Sequence, residues 1–418
     1  MIVNLGGIGC GFLLQLYLTN TFDITTYGSY IYHMTVINFM VVAVKGGVDL
    51  AANRYIPAFV REGSGDELVA YLKFSNFYVL ISSLLVIAIC YSLKGVLWSE
   101  SSGRLYFDLI AISVAVLAFL QLQCGVLQAM HNAVLSQFLQ TIARPLLIIM
   151  AVFVWVYVAP NIGDSHLIVV FIAASIFLAL IAFGFVYKKT KRQFANAAAS
   201  SIKTKTWLLS AYGMGAVVLF NLVINQFDVF FVGAYLGPEE AAIYNVALRL
   251  ATLVQFPAIA LGMVMAPQIA KMWAGKETAK IEKTVHVGSL ICLVISILVG
   301  MTLWLTADIM LGLFGEEYRA GKEVLVILCA ARCVNSFGGL AGYLMTMTGH
   351  QKAAAKVLLV SALFCIASNS YFVINAGIEG GAIANLLSTI IWILLMSVAA
   401  IHYLKISPVF LYRCQNNK

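Results

Sequence analysis

Charge is what this chain has least of: Asp, Glu, Lys and Arg make up 11% of its 418 residues, against 62% hydrophobic residues. A water-soluble domain of that composition would have no polar skin, so a soluble globular class is excluded. Other absences narrow the field further. There is no P-loop, so ATP-driven transport by this chain alone is not expected. No spacing of His, Ser and Asp suggests a nucleophile with its base. No C-x-x-C pair occurs among the eight cysteines, seven of which lie in apolar stretches and one, Cys414, in the tail. Cys329 and Cys333 share a helix face without a further ligand at metal spacing, so core packing is the expected role; no metal and no cofactor are expected. No basic stretch is interleaved with stacking aromatics, which leaves a nucleic-acid partner without support despite the net charge of +8. The first apolar run starts at Ile2 with neither a basic lead nor a small-residue cleavage site, so it is expected to be retained.

What fills the chain is a series of apolar runs, each long enough to cross ~30 Å of hydrocarbon. About twelve are expected. Six lie in the first half: Ile2–Phe22, Tyr30–Leu50, Val69–Leu93, Leu105–Met130, Phe138–Val158 and His166–Tyr187. Six lie in the second: Trp207–Leu236, Ala241–Trp273, Thr284–Leu305, Lys322–Met347, Ala355–Ala376 and Gly380–Leu404. The predicted fold is all-α, a polytopic membrane protein of two six-helix halves around a central cavity. Residues 1–187 form the first bundle, 188–206 a basic linker, 207–404 the second bundle and 405–418 a tail. Of the 26 Lys and Arg, 17 fall in gaps after even-numbered spans or in the tail and four in gaps after odd ones. Positively charged loops stay inside, so both termini and the linker are expected in the cytoplasm.

The second half repeats landmarks of the first. Tyr30, Pro57 and His131 recur as Tyr244, Pro267 and His350, at offsets of 214, 210 and 219. Six spans per unit make the repeats parallel, the arrangement of alternating-access transporters. Several short stretches carry a resemblance: Gly46-Gly47-Val48-Asp49, the Tyr55-Ile56-Pro57 exit, Gln128-Ala129 with His131, and Ala143-Arg144-Pro145-Leu146-Leu147. With these the chain resembles bacterial polysaccharide flippases, the Wzx-type exporters of O-antigen and capsule repeat units in the multidrug/oligosaccharidyl-lipid/polysaccharide superfamily. The resemblance implies that an undecaprenyl-pyrophosphate-linked oligosaccharide is moved from the cytoplasmic to the periplasmic leaflet of the bacterial inner membrane. Membrane lipids, a polysaccharide polymerase and a chain-length regulator are the partners it implies. The basic amphipathic lead often found before span 1 in that family is missing here.

Ionisable groups inside a span cost ~2.5–3.5 kcal/mol each on insertion scales, so each needs a reason. Lys45, Asp49, Arg144, Asp228, Arg249 and Arg332 are the candidates. Asp228 and Arg249 lie at similar depth on spans 7 and 8, either as a structural ion pair or as a substrate or ion-coupling site. Gln15 and Thr35 hold the matching depth in the first half, which makes the charge asymmetric. Lys45 and Asp49 share a helix face, Lys45 either snorkelling or lining a cavity. Arg332 has no acid within helical reach and is expected to face the cavity. Arg144 precedes Pro145 and either satisfies the carbonyl that Pro145 frees or lies shallow on the cytoplasmic side. Four cations against two acids give a positive interior suited to pyrophosphate, with Arg249, Arg332, Lys45 and Arg144 as substrate-binding candidates and Asp228 as the coupling group. Asn4, Gln15, Asn221, Asn225 and Gln226 are candidates for a wet, sugar-binding path.

Two other readings compete. An ion-coupled drug or metabolite antiporter of the same superfamily shares the repeat, but an exporter of cations should carry net acid where this chain carries net base. A membrane-embedded glycosyltransferase or polymerase needs a large outer loop, and Lys94–Arg104 and Thr306–Gly321 are too short for one. The protein is therefore not expected to be an enzyme.

Overall fold

The computed structural model describes residues 2–97, 103–158, 164–193 and 204–408, and it is all-helical across them. Ten helical segments among these residues are long and apolar enough to cross a membrane. The chain divides into two compact units, Met1–Leu219 and Phe220–Lys418. The expected linker overlaps residues 194–203, which lie outside the described set, as do Cys414 and the tail beyond 408; the boundary between the units falls later, within a helix. The side chain of Asn4 is also outside the described set.

The first unit runs through α1 (Ile2–Thr21), α2 (Ile24–Lys45), α3 (Val48–Glu62), α4 (Gly65–Leu97) and α5 (Gly103–Ala129). It continues with α6 (Ala133–Gln137), a π-helical turn (Phe138–Ala143), α7 (Arg144–Val158), α8 (Asp164–Gln193) and the first half of α9 (Thr204–Tyr235). Span 2 is not one helix, as its apolar run suggested. Gly46 and Gly47 both take left-handed φ, +50° and +85°, and stop α2 before α3 begins. The segment beyond the break is amphipathic: Val48, Ala51, Ala52, Ile56 and Phe59 are buried, while Asn53 and Arg54 are exposed. The break is also where α9 comes closest. A Cβ at Gly47 would sit 2.2 Å from the Ala211 carbonyl oxygen, and one at Gly215 would sit 2.6 Å from the Gly46 carbonyl carbon. Gly47→Ala therefore meets both a left-handed backbone and a carbonyl wall. It is expected to cost about 1–3 kcal/mol or more, read as a lower melting temperature in detergent and reduced yield.

The second unit holds the rest of α9, then α10 (Pro238–Thr252), a 3-10 turn (Leu253–Gln255), α11 (Phe256–Ala274) and α12 (Thr278–Leu305). After α13 (Ala307–Gly312) and a second 3-10 turn (Glu316–Gly321) come α14 (Lys322–Gly338), α15 (Leu340–Met347) and α16 (Gln351–Leu404). Its second membrane segment is interrupted too, here by the 3-10 turn ahead of Pro257 rather than by glycines. The last helix carries both of the final expected spans. It folds at Ala376 and Gly377, where Gly377 has φ +59° and ψ −142°, a conformation essentially reserved for glycine. Its arms touch through Ser368 Oγ and Ser388 Oγ, 3.3 Å apart.

Candidate functional site

The most charged buried cluster among the described residues lies inside the second unit, where α9, α10, α14 and the second arm of α16 meet. Asp228 on α9 is 1% exposed. Its carboxylate accepts from the Tyr244 hydroxyl at 2.7 Å, the Asn385 Nδ2 at 2.8 Å and the backbone N–H of Val229 at 2.9 Å. The guanidinium acting on it is that of Arg332, on α14 and 3% exposed. Arg332 donates from Nη1 to Asn225 Oδ1 and to Gln255 Oε1, both at 3.4 Å, while its Nε–H is buried without an acceptor. Gln255 in turn donates to Asn335 Oδ1 at 3.0 Å. A polar thread thus crosses apolar helices, and an ionisable group at such depth is tolerated only against protein or water. Asn221 and Asn225 are exposed on α9, so this polar surface of the unit is open at its edge.

The anticipated partnership of Asp228 with Arg249 does not form. Arg249 is exposed on α10 and is not a partner of Asp228. Matching depth along two antiparallel helices ignored azimuth: Arg249 is five residues beyond Tyr244, which turns it about 140° away from the face that meets Asp228. The expectation that Arg332 lacked an acid holds only along its own helix, because the acid comes from α9.

In the first unit, Lys45 Nζ and Asp49 Oδ2 form an ion pair at 2.7 Å, with side chains 10% and 13% exposed. The pair spans the Gly46-Gly47 break, so Lys45 is neutralised locally rather than offered as a lone cation. Arg144 opens α7, directly after the π-helical turn, and its backbone N–H donates to the Leu139 carbonyl five residues back. It is not shallow. The membrane segment begins at Ala133, and eleven residues at ~1.5 Å each bring Arg144 to its middle. Its guanidinium lies over the Phe171 ring, 5.7 Å from the centroid, with Tyr30 and Cys124 within its field. Gln15 is buried with an unpaired Oε1, and Thr35 donates to the Ile31 carbonyl, so that level of the first unit is uncharged.

Gln255, Asn335, Tyr244 and Asn385 were not singled out as site residues from sequence. A weak signal existed for two of them. Gln255 is a polar residue two positions before Pro257, and Asn335 lies one helical turn after Arg332.

Residues 1–273 match the family described as polysaccharide biosynthesis protein, and residues 214–372 match the MatE family. A curated relative from Haloferax volcanii, a probable low-salt glycan biosynthesis flippase Agl15, is 24% identical over 163 residues. That match spans 38% of this chain and 34% of the relative, about a third of its length. Among solved structures, an inward-facing multidrug resistance MATE transporter of the MOP superfamily aligns with a TM-score of 0.75 at 12% identity, over 95% of this chain and 92% of that one. The lipid II flippase MurJ, in an inward closed conformation, aligns with a TM-score of 0.74 at 14% identity, over 96% and 86%. At these identities the structures share the fold.

Proposed function

The chain belongs to the polysaccharide biosynthesis protein family, and from that membership we propose that it is a flippase for a lipid-linked oligosaccharide. On this reading it moves an undecaprenyl-pyrophosphate-linked glycan from the cytoplasmic to the periplasmic leaflet by alternating access, with both termini cytoplasmic. Transport, not catalysis, is its task; a polymerase and a chain-length regulator would take over the product. The observation that carries the proposal is Arg332, a guanidinium 3% exposed inside membrane helices and held by amides rather than by a carboxylate hydrogen bond. A diphosphate supplies the oxygens such a fork binds best. Arg249, exposed on the same unit, and Arg144 and Lys45 in the first unit remain the further substrate-binding candidates, with Asp228 as the coupling group.

The MatE match over residues 214–372 covers this site and favours a second reading, an ion-coupled antiporter of drugs or metabolites. One experiment separates the two. In a bacterial strain lacking its own repeat-unit exporter, the flippase restores surface glycan for at least one of several repeat units supplied. Restored drug resistance with no glycan from any of them would assign the protein to the antiporters.

A further inference from the structure

Arginine can only donate hydrogen bonds. The two amide atoms facing Arg332 Nη1 must therefore both be oxygens, Asn225 Oδ1 and Gln255 Oε1. That choice propagates outward. With its oxygen toward Arg332, Gln255 presents its nitrogen to Asn335, whose Oδ1 accepts it at 3.0 Å. Asn335 then turns its own nitrogen, with two N–H donors, away from Gln255. On the other branch Asn225 Nδ2 donates to the Asn221 carbonyl at 2.8 Å. All three amide oxygens are thus engaged inside the thread, and what it presents outward is donors. Asn335 is half-buried and lies three residues after Arg332, on the same face of α14. The Nε–H of Arg332 is a further donor without an acceptor, and its Nη1 contacts are at the long limit for a hydrogen bond. A fixed guanidinium thereby polarises a chain of neutral amides in one direction.

We propose that Gln255 and Asn335 are ligand-binding residues, and that with Arg332 they form a one-way donor array selecting an anionic oxygen group, the diphosphate of the lipid carrier. The inference rests on the flippase reading and deepens it. A sugar hydroxyl must donate as well as accept, and this thread has no free acceptor oriented for it. A cation finds no free oxygen here either. A phosphate oxygen, which only accepts, fits every open position.

The test uses the purified full chain in lipid nanodiscs, with undecaprenyl diphosphate as the probe, undecaprenol as the neutral control and inorganic pyrophosphate as competitor. The informative variant is Gln255→Glu. Its carboxylate bonds Arg332 more strongly than the amide does, so the fold is kept, but it cannot donate to Asn335. The thread then reverses, with Asn335 donating inward and presenting its oxygen. Diphosphate affinity is expected to fall about tenfold or more at an unchanged or raised melting temperature. Asn335→Leu, which removes the outward donors, should lose affinity by about tenfold while undecaprenol binding stays as in the wild type. A merely structural role predicts unchanged affinity in Gln255→Glu, and that result overturns the proposal. Should the wild type bind pyrophosphate, with the same losses in the variants, but not undecaprenyl diphosphate, the array stands and the lipid-linked substrate fails. Wild-type binding of undecaprenyl diphosphate that both variants retain defeats the array and leaves the flippase. No binding of either anion defeats both.

Discussion

Arg332→Ala is expected to abolish transport, with surface glycan in a complemented strain falling at least thirtyfold at equal protein level. The size follows from burial. Removing one partner of a buried, hydrogen-bonded charge costs about 2–5 kcal/mol, because the groups left behind lose their counterpart in a low-dielectric site. Here the groups left behind are the Asp228 carboxylate and the oxygens of Asn225 and Gln255. Arg332→Lys should recover part of the activity, since a positive charge survives without the planar fork. Arg249→Ala should lower transport less, its guanidinium being exposed and screened by water. Normal surface glycan from Arg332→Ala at unchanged protein level would sink the role assigned to this residue.

Much of the fold was legible because hydrocarbon imposes simple rules. The run Lys322–Met347 is covered end to end by α14 and α15, and the two last expected spans are the two arms of α16. Span 2 misled because hydropathy does not register backbone sign. Gly46 and Gly47 are apolar enough to continue a window, yet their left-handed φ ends the helix and starts an amphipathic one. The stretch Phe138–Ala143 was read as ordinary helix. Its π turn follows from Pro145, which has no N–H to offer Thr141, while the N–H of Arg144 reaches back to Leu139.

For the site, charge was the readable part and partnership was not. Asp228, Arg332, Lys45 and Arg144 stood out because each costs energy in an apolar span. Which of them meet depends on helix azimuth and on contacts between distant segments. Asp228 finds Tyr244 and Asn385, sixteen and 157 positions away, rather than Arg249 at a matching depth. Gln255 and Asn335 carry no charge and so raised no cost that would flag them. Their meaning comes from the direction in which Arg332 turns them.

Asp228→Asn is expected to fold, insert and bind substrate, yet to transport slowly and without the pH response of the wild type. The substitution keeps the shape and one oxygen. With that oxygen in the Oδ2 position, the bonds from Tyr244 and Asn385 survive and the bond from the Val229 N–H is lost. The ionisable groups facing the carboxylate are Tyr244, Arg332 and the Cys365 thiol. A proton on Asp228 would remove the negative charge that competes with substrate for Arg332, freeing the guanidinium for phosphate; its departure would draw the guanidinium back and release the phosphate. Asparagine fixes the first of these states. The variant should therefore hold diphosphate at least as tightly as the wild type in a binding assay, while flux in proteoliposomes falls and its pH profile flattens. The bland alternative is that the carboxylate pins α9 to α10 and α16. Loss of protein from the membrane in Asp228→Asn points to that pinning role, whereas wild-type flux with a wild-type pH profile removes Asp228 from the coupling mechanism.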